Sequence, residues 1–397
     1  MKVISITLRL PLLLFLVLSA CRPPAVTPTL SPVQLSQATT PATVVSTATA
    51  RPRSTASPAP TATIIAKPPT RPPTSTPTIS PTPGDDPVTT LLFTGVIVPA
   101  RCVQAALDEN GNPDYPYEEV RQVITQADLA VGVFNATMSD QVEHSGCVNT
   151  YQLVGSPDNA DALERAGFDV MSVATNHIKD CGPMKGWCDE TFFDTLGNLR
   201  RVNIHTVGAG KNLAEALEPV IVTLNGVKFG FISLGDSKMD EIVFAAADHP
   251  GIARLNEENL KAAVDAVRPL VDVLVVLPHW GSEDNAIPNW IQRTQAKQIV
   301  QAGADLVVGS HTHVVQSIQE LDGVPVFFGL GNFVFDQNWG HHRQAVILLV
   351  KFKGKQFIGY ELIPTHVDRD GRVHIAGPEE AQEILQRIEQ SSQALPK

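Results

Sequence analysis

The run Ala302-Gly303-Ala304-Asp305-Leu306-Val307-Val308-Gly309-Ser310-His311-Thr312-His313 decides the fold. An amphipathic stretch, Pro288–Ala302, stops at Gly303, the short apolar run Asp305–Val308 follows, and two histidines stand one residue apart just beyond it. A helix that feeds a short buried strand is the crossover unit of an α/β protein. Polar groups placed just past the carboxyl end of such a strand lie where open α/β sheets bind ligands.

The same pattern recurs on both sides of this run. Thr90–Thr94, Leu129–Phe134, Asp169–Val173, Val220–Leu224, Lys228–Leu234, Val271–Leu277 and Val324–Phe328 read as further strands, and Asn159–Ala166, Glu190–Arg200 and Asn256–Val267 as helices. Asn225-Gly226 and Asp322-Gly323, each between apolar runs, predict type I′ hairpins, so the sheets are mixed. Ala345–Phe352 and Gln356–Ile363, on either side of Gly354, should close an edge. Pro378–Gln390, with Ile384, Leu385 and Ile388 at helical spacing, reads as a packing helix.

Polar residues break the apolar pattern at strand ends. Asn135, Thr175-Asn176-His177, His279-Trp280-Gly281 and His311-Thr312-His313 each follow a strand, so four separate segments can meet at one edge. A lone histidine there is more often a satisfied core or surface group; the recurrence is what points to a site. Neutral imidazoles and an amide carbonyl suit borderline ions such as Zn²⁺, Mn²⁺ or Fe²⁺, and a hydrated ion there would offer hydroxide near neutral pH. Asp180, Glu283 and Asn332 stand close enough in sequence to support such ligands from behind, a turn or cap being the simpler reading for Asp180.

Composition divides the 397-residue chain in two. No acid precedes Asp85, and residues 85–397 hold 23 Lys and Arg against all 41 acids, a net of 23 − 41 = −18. That charge argues against a nucleic-acid partner, which is held by neutralising phosphates. Lys2 and Arg9 followed by the apolar run Leu10–Leu18 make residues 1–20 a signal peptide. Leu18-Ser19-Ala20-Cys21 looks like a bacterial lipobox with a lipidated Cys21, the alternative being an ordinary secretory signal with a chance cysteine. The expected location is the extracytoplasmic face of the cell membrane, held by acyl chains. Residues 22–87 carry sixteen of the 31 prolines among Thr, Ser and Ala and read as a disordered stalk. A domain over 88–370 and a C-terminal helix and tail over 371–397 complete the chain.

Cys102, Cys147, Cys181 and Cys188 remain, and four cysteines allow three pairings. Cys181 and Cys188 bracket a turn-rich loop that a disulfide could close, leaving Cys102 with Cys147; the connectivity stays open, as does a thiolate metal ligand at Cys181.

These segments resemble the CapA family of poly-γ-glutamate capsule synthesis proteins, whose domain is similar to the calcineurin-like metallophosphatases. The most specific matches are Ala166-Gly167-Phe168-Asp169 leading to Asn176-His177, His279-Trp280-Gly281-Ser282-Glu283, the run quoted above, and Gly331-Asn332-Phe333-Val334-Phe335-Asp336. The resemblance implies an α/β/β/α sandwich with mixed sheets, with Asn176, His279, His311 and His313 as metal ligands and His177 as acid or charge stabiliser. Arg101 keeps a family arginine that would steady an anionic substrate.

Two departures qualify it. Gly95-Val96 stands where the family has Gly-Asp, and Val133-Phe134-Asn135 where it has Asn-Leu-Glu. A two-ion centre needs anionic oxygens between or beside its dications, so the expectation is one divalent ion at most. The chain then reads as a partly degenerate binding member acting in polymer biosynthesis, export or anchoring. The alternative is a hydrolase of a phosphoester or surface polymer that uses one ion. A polyanion would need a basic lip, for which Arg101, Lys179, Lys185, Arg200, Arg201 and Lys211 are the candidates.

Overall fold

The computed structural model describes residues 86–182, 186–236 and 240–396. Cys21, the signal peptide, Lys185 and all of the stalk up to Asp85 lie outside the described residues.

One sheet runs, neighbour to neighbour, Val373–Ile375, Gln356–Val367, Gln344–Lys353, Val88–Ile97, Leu129–Phe134, Val170–Ser172 and His205–Val207, with Asn332–Val334 also pairing to Val88–Ile97. The other runs Ile318–Leu321, Val324–Phe327, Leu306–Val308, Val273–His279, Val227–Gly235 and Val220–Leu224. In both sheets the central strands are parallel; antiparallel strands lie along one side of the first, whose other edge, His205–Val207, is parallel to Val170–Ser172, and along both edges of the second. Asn225 and Gly226, and likewise Asp322 and Gly323, all have positive φ, the signature of the expected type I′ turns.

Three apolar clusters define the layers. Leu91, Phe93, Leu129 and Val131 of the first sheet share one core with Phe229, Phe231, Val273, Val275 and Leu306 of the second. Ala130, Phe134 and Met171, on the first sheet's other face, pack on helices through Val103, Leu163 and Phe192. Ile232, Leu274 and Val276, on the second sheet's other face, pack on helices through Leu260, Ala263 and Ile299. Strand alternation gives each sheet two apolar faces, and four layers, α/β/β/α, bury both. The helices Asp158–Ala166, Asp189–Arg201, Glu257–Val267 and Trp290–Ala302 form within two residues of the sequence reading. Cys102–Asn110 is a further helix that the sequence reading lacks.

Candidate functional site

The layer between the sheets ends in polar groups at the carboxyl edge of the parallel strands. Positions 129 and 131 face the inter-sheet core, and the two-residue period carries that face on to Asn135, just past the strand end. Positions 273, 275 and 277 likewise face inward and lead to His279, which ends its strand fully buried. Just inside this mouth the sheets are bridged by Ser172 Oγ and Ser233 Oγ, 2.8 Å apart. His311 and His313 follow the Leu306–Val308 strand, both at positive φ, 94° and 60°. Such non-glycine conformations cost on the order of 1 kcal/mol or more and cluster at functional sites. Gly309 lets the turn form: a Cβ there would lie 2.3 Å from Phe328 O and from the indole nitrogen of Trp280.

Three expected ligands converge. Asn176 Oδ1 lies 3.0 Å from His279 Nε2, and His311 Nδ1 lies 3.2 Å from the same nitrogen. The other ring nitrogen of His279 is 2.8 Å from Ser310 Oγ, whose own hydrogen goes to Pro278 O at 3.4 Å. His279 is therefore held through both ring nitrogens, by Ser310 on one side and by Asn176 and His311 on the other. His313 Nδ1 sits 2.8 Å from Asn332 Oδ1, and Asn332 Nδ2 donates to the backbone carbonyl of His342 at 3.2 Å. Since that carbonyl can only accept, the Asn332 amide is fixed and His313 donates to its oxygen from Nδ1. Burial, reinforced by the neighbouring imidazoles, holds His279 well below its ordinary pKa and takes His313 down to about 3. Both rings are neutral at physiological pH, as a metal ligand must be.

These side chains are of the donor types that a borderline divalent ion takes. The amide oxygen and two imidazole nitrogens of Asn176, His279 and His311 stand at separations of 3.0 and 3.2 Å. Among the described residues, no three His, Cys, Asp or Glu side chains form a group that could hold an ion. Val96 is buried in register with Val133 and has no donor atom to offer.

The supporting residues sort themselves by contact. Asp180, for which a turn role was the simpler reading, is buried, and its Oδ2 accepts from Leu153 N at 2.7 Å and lies 2.8 Å from His177 Nδ1. Asn135 Oδ1 accepts the His177 backbone N–H at 3.2 Å. Glu283 sits on an exposed turn, yet desolvation by the cavity wall, then Asp284, pushes its carboxyl pKa up. Arg101 is buried; Nε and Nη2 bind Asp336 and Nη1 donates to Thr150 O at 2.8 Å. It ties two loops beside the mouth.

The basic lip is corrected. Lys179 is fully buried, with Nζ 2.6 Å from Asp189, 3.2 Å from Ile242 O and 3.0 Å from Pro250 O. Arg201 pairs with Asp161 and Lys211 with Glu215, while Arg200 lines a different cavity together with Lys211. The cysteines pair as Cys102–Cys147 and Cys181–Cys188, which removes Cys181 as a thiolate ligand.

Asn176 and His311 line a cavity of about 310 Å³ together with Trp187, Asp236, Asp240 and Glu283. Asp236 is absent from the sequence reading although the rule used there would find it, since Gly235-Asp236 directly follows a strand. Its backbone N–H donates to His279 O at 2.8 Å.

Residues 90–337, more than half of the chain, match the family described as bacterial capsule synthesis protein PGA_cap. The chain belongs to that family. It is 29% identical to the PGA biosynthesis protein CapA of Bacillus subtilis over 71% of this chain and 72% of that protein. It is 28% identical to the capsule biosynthesis protein CapA of Bacillus anthracis over 70% of this chain and 67% of that one. Among solved structures, the sulfate thiohydrolase SoxB from Thermus thermophilus aligns at 14% identity and a TM-score of 0.41, over 77% of this chain and 61% of that one.

Proposed function

We propose that this chain serves the synthesis, export or anchoring of an anionic surface polymer of the poly-γ-glutamate type, as a lipid-anchored protein outside the cytoplasm. Its membership of the capsule synthesis family supports the process, and the Leu18-Ser19-Ala20-Cys21 run supports the anchor. The observation that carries the reading of the site is the convergence of Asn176, His279 and His311 without a carboxylate among them. One divalent ion held there would supply Lewis acidity and an acidified water. The protein's own groups do the rest. Ser310 and Asn332 fix the ring orientations of His279 and His313, and Asp180 holds His177 with its other nitrogen turned outward.

Metal analysis of the full-length chain tests this. At most one Zn²⁺, Mn²⁺ or Fe²⁺ per chain is expected, lost in His279→Ala and in His311→Ala. Two ions per chain, or one that survives both substitutions, would refute it. The second reading, a one-ion hydrolase, draws on the His177–Asp180 pair, which is built as an oriented acid or base. It predicts phosphodiester or γ-glutamyl hydrolysis that disappears in His177→Ala while metal content is unchanged.

A further inference from the structure

The carboxamide of Asn135 points to a second ligand group in the mouth. Asn135 is fully buried. Its Oδ1 faces the His177 backbone N–H at 3.2 Å; that N–H can only donate, so the amide cannot be flipped. Nδ2 is therefore the opposite branch, and it is buried without a hydrogen-bond partner. A donor orphaned in this way carries a desolvation cost comparable to a lost hydrogen bond. Asp180 Oδ1, likewise buried without a partner, makes no bond to it. The strand period that puts Leu129 and Val131 in the inter-sheet core turns Asn135 toward the mouth that His279 and Asn176 also face.

We infer that Asn135 Nδ2 is a ligand-binding donor, aimed at an anionic oxygen (carboxylate or phosphoryl) of the molecule bound in this mouth. A carboxylate in its place would repel such an oxygen and would bind a cation instead; the amide reverses both preferences. The mouth then holds an ion on the Asn176–His279–His311 side and an anionic oxygen on the Asn135 side. The inference rests on reading this mouth as the functional site, but it does not need the ion.

Asn135→Asp tests it with little change of shape, since either carboxylate oxygen can still accept the His177 N–H. Titrate the full-length chain, stripped of metal with EDTA, with inorganic phosphate and with γ-glutamyl-glutamate, and separately with Mn²⁺. Relative to wild type, Asn135→Asp should bind the anions about tenfold more weakly or worse, the scale of a hydrogen bond to a charged group, and Mn²⁺ at least about tenfold more tightly. Asn135→Ala, whose folding is followed by thermal unfolding, should weaken the anions without tightening Mn²⁺. Equal anion affinity in wild type and Asn135→Asp with unchanged Mn²⁺ affinity would overturn the inference, as would no anion binding by wild type. Phosphate binding that depends on Asn135, with no response to γ-glutamyl-glutamate, would support the donor while removing the polymer as its source. Anion binding that persists in His279→Ala, which should lose the ion, would separate this inference from the metal reading.

Discussion

At the scale of single residues, the His177–Asp180 pair shows how burial tunes the site. Burial is the largest influence on Asp180 and pushes its pKa up, against the opposing pull of His177 and of the Leu153 N–H. A carboxyl with a raised folded pKa gives stability that is complete below its unfolded value, near 3.9, and is lost as pH rises through the folded value. Asp180→Asn keeps an oxygen for both donors and removes the charge. It should match wild type in thermal unfolding at pH 4 and be the more stable at pH 7.5; a gap of the opposite sign at pH 7.5 would contradict this. The histidines of the mouth were legible because each follows an apolar run that can only be a buried strand. The burial of Lys179 was not. Segment 240–252, whose carbonyls at Ile242 and Pro250 cap its ammonium, carries no strong periodicity, so nothing in the sequence announces that it folds over the Asn176–Asp180 turn.

At the scale of elements, two kinds of cross-link hold the mouth together. Lys179 joins that covering segment to Asp189, in the first turn of the Asp189–Arg201 helix. Lys179→Met leaves two carbonyls and a carboxylate without their donor and should cost about 2 kcal/mol, read as a lowered midpoint in denaturant with an unchanged slope. The disulfides act through the unfolded chain. Cys102–Cys147 closes a sequence separation of 45 and Cys181–Cys188 one of 7, so loop-closure entropy gives the first about 4 kcal/mol and the second about 2 kcal/mol. Cys102→Ser with Cys147→Ser should therefore lower stability more than the paired serine substitutions at 181 and 188. A larger loss from the short loop would place the effect in the folded state. The sequence offered both pairings among three; what selects between them is that Cys102 opens a helix directly after Arg101, whose guanidinium holds the loop through Thr150.

At the scale of the whole domain, the chain's end is built into the sheet that carries half of the site. The sequence reading set residues 371–397 apart as helix and tail. Val373–Ile375 nevertheless adds the outermost strand of that sheet, and Ile384 and Ile388 enter the inter-sheet core. A three-residue strand has too little periodicity to be seen alone; it exists because Gln356–Val367 offers it an edge. A polar seam locks this end down. His374 lies 2.9 Å from Glu119 through Nδ1 and 2.9 Å from Asp368 through Nε2, and His366 Nδ1 lies 2.9 Å from Glu380 of the last helix. Burial alone would lower the pKa of His374, but the two carboxylates outweigh it and the net shift is upward. A histidine with a raised folded pKa gives stability that is complete below its unfolded value near 6.5 and is lost as pH rises through the folded value. His374→Gln should therefore unfold at a lower temperature than wild type at pH 5.5, and the two curves should close together by pH 9. Arg343 and His366 also face Asp368 and Arg372 faces Glu119; all three are the same in both proteins, which leaves the closing gap as the signature of His374. A gap that widens with pH would mean that burial, and not Glu119 and Asp368, governs this residue.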